Sequence, residues 1–153
     1  MNDDLKNLGQ RLAGRIERLL ETPLGEAERR AAVAEFAAAA RLEPADAERL
    51  AERLPPVPKP FVDKWAAAFG AEAARSMAGE RLALMLQGSE RADLLLLVEF
   101  FAFLEEREAH VQAELHDLAR AAGERPEDLV LGLEALATYA EKRLHAHFRR
   151  PGL

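Results

Sequence analysis

Apolar residues recur along this sequence at intervals of three and four, the spacing that places side chains on one face of an α-helix. The first such face consists of Leu5, Leu8, Leu12, Ile16, Leu19 and Leu20. Alanine, leucine, glutamate and arginine, which favour helices, dominate the composition, whereas the strand-favouring valine, isoleucine, threonine and tyrosine are scarce. The pattern predicts an all-α fold.

Prolines and glycines divide this pattern into separate helices. Thr22 and Pro23 are typical of an N-cap and a first helical position, Ser89 of another N-cap, and Gly123 of a helix end. We expect Gly70 to end or kink a helix. The predicted helices cover about 3–21, 24–41, 44–54, 61–70, 71–87 and 90–122, and a last helix starts at Pro126.

Two of these helices carry distinctive apolar faces. In the second helix the inner side is predicted to be small, because it would consist of Ala31, Ala34, Phe36 and Ala38. After the proline-rich segment, Phe61, Trp65 and Phe69 follow at spacings of four, which places the three rings together on one helical face. That spacing favours packing in the core over ligand binding.

The segment 90–122 contains no proline or glycine and could form one helix about 50 Å long. Its first half, 94–104, is apolar nearly all round and is predicted to be surrounded by other helices. The 153 residues suit one domain, a bundle of about six or seven helices around this long central helix. Four prolines in 55–60 allow a second organisation, in which this segment links sub-units 1–54 and 61–150.

Charge and composition exclude several classes of protein. The formal net charge is −6, which argues against a nucleic-acid binder, and the absence of cysteine excludes disulfides, thiolate metal sites and cysteine nucleophiles. The most apolar stretch, 94–104, is too short to cross a bilayer, which needs about 20 residues. The N-terminal residues lack the order of a secretory signal. We expect a cytoplasmic protein of a bacterium-like cell, with no membrane partner.

Glu99 is the most informative single residue, because it interrupts the apolar stretch 94–104. A carboxylate there must be paired, protonated or placed at a wet cleft. The first interpretation is an ion pair with Arg81 or Arg91, in which case Glu99→Gln should cost a few kcal/mol because the partner cation stays buried. The second is a functional carboxylate in a binding groove or a metal site.

Glutamates and histidines recur at helical spacing on two predicted helices. Glu99, Glu106, His110 and either Glu114 or Asp117 form one stripe, and Glu134, Glu141 and His145 form another. Two facing stripes of this kind could hold iron, manganese or zinc in a helical bundle. The candidate ligands of this alternative are Glu99, Glu106, His110, Glu141 and His145. The other interpretation of both stripes is a solvated helix face, with no cofactor.

No phosphate-binding loop and no Ser/His/Asp arrangement occurs in the sequence, so enzyme activity is not expected. The favoured function is therefore a non-enzymatic helical protein that binds a protein or peptide, such as an assembly chaperone, adaptor or regulatory partner. The residues expected to contact the partner are Glu99, Phe103, Glu106 and His110. A homo-oligomeric structural domain is a further alternative.

One part of the chain resembles a known family. The segments Leu97-Val98-Glu99-Phe100-Phe101-Ala102-Phe103-Leu104 and Glu106-Arg107-Glu108-Ala109 are similar to one helix of the redox-enzyme maturation chaperones. Leu54-Pro55-Pro56 is similar to a stretch that precedes this helix in the family. The resemblance implies an all-helical bacterial protein that recognises twin-arginine leader peptides or holds apo-enzyme subunits during insertion of the molybdenum cofactor.

Overall fold

The computed structural model describes residues 2–21, 25–53 and 57–148. Within these ranges the regular structure consists of eight helices and no strand, which confirms the predicted all-α single domain. The helices are α1 (Asn2–Glu21), α2 (Glu26–Ala40), α3 (Pro44–Arg53), α4 (Lys59–Ser76), α5 (Gly79–Met85), α6 (Glu90–Glu105), α7 (Glu108–Ala122) and α8 (Pro126–Phe148). None of these described helices combines the length and the apolar character needed to cross a membrane.

Several helix ends lie where the sequence predicts them. Helices α3 and α8 begin at Pro44 and Pro126. The Ser89 side chain accepts a hydrogen bond from the Ala92 amide at 3.1 Å and caps α6. Gly123 ends α7 in the left-handed conformation, with φ of 72°. The predicted cap at positions 22–23 and the first two prolines of the 55–60 segment lie outside the described residues.

Gly70 does not end a helix, the first of the two roles predicted for it, because α4 continues through it to Ser76. Gly70 is buried against Gly9 of α1, and a Cβ atom built on Gly70 would lie 2.2 Å from the Gly9 carbonyl oxygen. A Cβ atom on Gly9 would lie 2.8 Å from the Gly70 carbonyl oxygen. The two glycines therefore allow the backbones of α1 and α4, an extensively packed pair, to approach closely.

The aromatic residues of α4 form part of the core, as their spacing predicts. Phe61, Trp65 and Phe69 are all buried. The ring centroid of Phe69 lies 5.9 Å from that of Phe100 and 5.5 Å from that of Phe103, both with edge-to-face geometry. Aromatic contacts between α4 and α6 thus hold the centre of the molecule together.

The single helix predicted over 90–122 is wrong, since a two-residue turn separates α6 from α7. At the turn, the Arg107 amide bonds to the Leu104 carbonyl, and the Arg107 guanidinium donates to the Phe103 carbonyl at 3.0 Å and lies over the Phe103 ring. No proline or glycine marks this break. Both helices pack on α8, and the turn lets each helix direct its own apolar face at it.

The predicted inner side of α2 is right for Phe36 and wrong for its three alanines. The residues of α2 that are buried are Ala32, Val33 and Phe36, whereas Ala31, Ala34 and Ala38 are exposed. Alanine is compatible with either environment, so an alanine-rich helix carries little periodic signal. Helix α2 packs on α3 and α8 and forms a second, smaller apolar cluster beside the main core.

Candidate functional site

Glu99 forms an ion pair with Arg81 of α5, one of the two partners predicted for it. The pair is not deeply buried, because the Glu99 side chain is 23% exposed and that of Arg81 is 49% exposed. The ion pair is confirmed, but the expected cost of several kcal/mol for Glu99→Gln is not supported. An arginine that remains half in water loses little when its partner is removed.

The residues that follow Glu99 in the predicted stripe do not share one face. Glu106 lies at the turn after α6, where its side chain is 76% exposed and 3.4 Å from the Arg107 guanidinium. His110 is exposed on α7. Glu114 instead faces α4, where it accepts a hydrogen bond from the Trp65 indole and lies 3.3 Å from the Lys64 ammonium. The break between α6 and α7 therefore disrupts the stripe that a continuous helix would form.

The five candidate metal ligands are not assembled into a site. Glu141 and His145 are exposed on α8, as Glu106 and His110 are at and after the turn, and Glu99 is paired with arginine. Among the described residues, which include all five, no group of three or more histidine, aspartate or glutamate side chains is placed to hold a metal ion. The geometry gives the iron, manganese or zinc interpretation no support.

A groove of about 580 Å³ lies between α6, α7 and α8, and one residue of α2 also lines it. We call it the α6–α8 groove. Its apolar lining residues are Phe36, Val98, Phe101, Ala102, Leu104, Val111, Leu115, Val130, Leu133 and Ala137, and its other lining residues are Glu105, Glu108, Gln112, Glu134, Thr138 and Glu141.

The apolar lining forms a floor whose side chains differ in exposure. Phe101, Leu104 and Leu115 are buried, whereas Val98 and Leu133 are only half-buried. The half-buried side chains leave apolar surface in contact with water, which is unfavourable by roughly 25 cal/mol for each Å². The groove can therefore gain free energy by covering these side chains with an apolar ligand.

Four glutamates, Glu105, Glu108, Glu134 and Glu141, line the same groove, and we call them the acidic rim. Glu134 and Glu141 come from α8, and the other two come from the end of α6 and the start of α7. Burial and, secondly, the charge of Glu108 raise the pKa of Glu134 above its ordinary value. The carboxylates of Glu108 and Glu134 are thus close enough to affect one another.

None of the four residues predicted to contact a partner lines the α6–α8 groove. Phe103 is buried among the rings of α4, and Glu99, Glu106 and His110 lie elsewhere. Of the predicted metal ligands, only Glu141 lies in the groove.

The sequence carried one signal for the groove, a run of small or apolar residues at helical spacing that ends in glutamate. Val98, Ala102 and Glu105 have this pattern on α6, and Ala137 and Glu141 have it on α8. The pattern does not say that the two runs face each other.

Comparison with known proteins gives no assignment for this fold or groove. No protein-family model matches the chain, and no curated protein or solved structure is significantly similar to it. The resemblance to redox-enzyme maturation chaperones stays a prediction. Any function must therefore be inferred from the groove and from the chemistry of its lining.

Proposed function

We propose that this protein is a non-enzymatic helical protein that binds another protein, as an assembly chaperone, adaptor or regulatory partner does, and that it holds an apolar segment of that partner in the α6–α8 groove. The observation that carries the proposal is an open groove of about 580 Å³ with an apolar floor. This volume lies within the range of about 300–1,000 Å³ that is typical of ligand-binding clefts.

The walls of the groove suit the binding of a peptide segment. Side chains from α6, α7 and α8, with Phe36 of α2, form them, and helices hold binding residues more rigidly than loops do. Grooves between helices commonly receive an amphipathic segment whose apolar side chains enter the groove at helical spacing. In the α6–α8 groove, Val98 and Leu133 would contact such side chains.

The family resemblance supports the same class of function. Residues 97–104, which carry most of the resemblance, lie in α6, and Val98, Phe101, Ala102 and Leu104 from this segment line the groove. Leu54-Pro55-Pro56 lies outside the described residues. A chaperone acting on a leader peptide or an apo-enzyme subunit in the bacterial cytoplasm is thus one specific form of the proposal.

Affinity capture with a blocked groove tests this function. Ala102 is exposed and lines the groove, so Ala102→Trp should fill part of the groove with little effect on folding. Ala68→Trp places the same side chain at an exposed position of α4 that does not line the groove. The wild type and the Ala68→Trp variant are expected to retain the same partner from the source cell, and the Ala102→Trp variant is expected to lose it.

The two tryptophan variants must first be compared by circular dichroism and thermal melting. If both fold like the wild type and the Ala102→Trp variant retains every captured protein equally well, the α6–α8 groove does not bind the partner. The proposed function would then have lost the observation on which it rests.

A further inference from the structure

All four ionisable residues that line the α6–α8 groove carry the same charge. They form the acidic rim, and none of the described lining residues is lysine, arginine or histidine. The chain as a whole contains 21 lysine and arginine and 27 aspartate and glutamate residues, so the single sign of charge in the groove does not follow from a lack of basic residues. A binding groove with charge of one sign selects a ligand of the opposite sign.

The carboxylates of the acidic rim also lack the ion pairs that several other carboxylates of the molecule form. Elsewhere, some carboxylates on the surface pair with arginine on the same helix, as Glu26 does with Arg30 and Asp46 does with Arg49. Within the described ranges, no ion pair involves any of the four rim glutamates, and Glu108 accepts only a hydrogen bond from Gln112, at 2.9 Å. Among the described residues, therefore, no ion pair compensates the negative charge around the groove.

We infer that the occupant of the α6–α8 groove is a cationic amphipathic segment of another protein, with apolar side chains on the groove floor and lysine or arginine side chains against the acidic rim. This inference rests on the proposed function and specifies its partner. The apolar floor contributes affinity through burial, whereas the rim contributes selectivity and a faster rate of association.

Three other occupants fit the groove less well. A metal ion would need a cluster of ligands, and the described residues contain none. A second copy of this chain has a net charge of −6, which opposes its approach to an acidic groove. A neutral apolar segment would leave the mutual repulsion of the rim carboxylates unrelieved and would bury part of their charge.

Two synthetic peptides and two variants of the full chain test the inference. One peptide of about 18 residues forms roughly five helical turns, with leucines on one face and lysines flanking them. The other peptide has glutamine at each lysine position. The rim variant is Glu105→Gln, Glu108→Gln, Glu134→Gln and Glu141→Gln combined, and the matched control is Glu35→Gln, Glu43→Gln, Glu52→Gln and Glu80→Gln combined.

The control glutamates are exposed and lie outside the groove. Both variants lose four negative charges, so they have the same net charge and differ only in where the charge is lost. Fluorescence anisotropy is expected to show that the lysine peptide binds the wild type and the control variant with similar affinity. The rim variant should bind it at least about tenfold more weakly, with less dependence on salt.

Three results would overturn the inference. If the rim and control variants bind the lysine peptide equally, only net charge matters, and the acidic rim does not recognise the ligand. If the glutamine peptide binds as tightly as the lysine peptide and Ala102→Trp abolishes both, the proposed function stands but the partner need not be cationic. If sedimentation shows a dimer that Ala102→Trp dissociates, a second copy occupies the groove.

Discussion

The contact between Gly9 and Gly70 leads to the sharpest prediction about stability. Replacing glycine by alanine inside a helix ordinarily stabilises it by about 1 kcal/mol. At Gly70, however, the new Cβ atom would lie 2.2 Å from the Gly9 carbonyl oxygen, more than 1 Å closer than a normal van der Waals contact. The obstacle is backbone, which cannot rotate away, so α1 and α4 must separate or shift.

Overpacking of this kind lowers the free energy of unfolding by about 1–3 kcal/mol. Because the obstacle is backbone, we expect Gly70→Ala to lie at the upper end of this range. After the helical preference of alanine is subtracted, the net loss is about 2 kcal/mol. For a domain of this size, that loss should lower the melting temperature by roughly 4–8 °C. Urea and thermal unfolding, followed by circular dichroism, measure both quantities.

Gly14→Ala is a matched control in α1, since a Cβ atom there meets nothing closer than the Arg18 guanidinium at 3.9 Å. We expect this variant to be more stable than the wild type by about 0.5–1 kcal/mol. The two substitutions should thus have opposite signs. If Gly70→Ala stabilises the protein as Gly14→Ala does, the backbones of α1 and α4 do not approach each other as closely as described.

Three further predictions follow from single residues. Glu99→Gln should change the free energy of unfolding by no more than about 1 kcal/mol, because Arg81 is half exposed; a loss of several kcal/mol in urea titrations would mean a buried pair. Phe100→Ala should lower the free energy of unfolding by about 3–5 kcal/mol because Phe100 is fully buried, whereas Leu84→Ala, at a position that is 49% exposed, should change it by no more than about 0.5 kcal/mol. Equal effects of the two variants in urea titrations would contradict the packing of α6. Burial raises the pKa of Glu134, so the folded state binds more protons than the unfolded state, and the free energy of unfolding falls as the pH rises above about 4. Glu134→Gln should lessen this fall in thermal melts between pH 4 and 7. An unchanged pH profile would show that Glu134 does not cause the fall.

The helices themselves could be predicted because their signals are local. Periodic apolar positions identified the face of α1, where Leu12 and Ile16 are fully buried. Helix starts and ends at Pro44, Ser89 and Gly123 depend on the conformational limits and hydrogen bonds of a few neighbouring residues. Such local signals can be recognised without knowing how the helices pack together.

Three features of the fold could not be predicted because they depend on contacts between distant residues. Gly70 has the same local preferences whether it ends a helix or allows another backbone to approach, and only Gly9 in α1 distinguishes these roles. The turn at Arg107 occurs in a sequence favourable to a continuous helix, because both parts pack on α8. The inner side of α2 was misassigned because its many alanines leave little periodic signal, and only the packing of α2 on α3 and α8 distinguishes Ala32 and Val33 as buried.

The candidate site shows the same division. The sequence by itself determined that the chain is helical and lacks cysteine, and it identified Arg81 as one possible partner of Glu99. Only the tertiary structure decided that Glu105 and Glu108 lie in one groove with Glu134 and Glu141. The physical reason is that a groove belongs to no single helix: its floor and its charge arise where the faces of α6, α7 and α8 meet, and periodicity along one helix does not determine which other helix it faces.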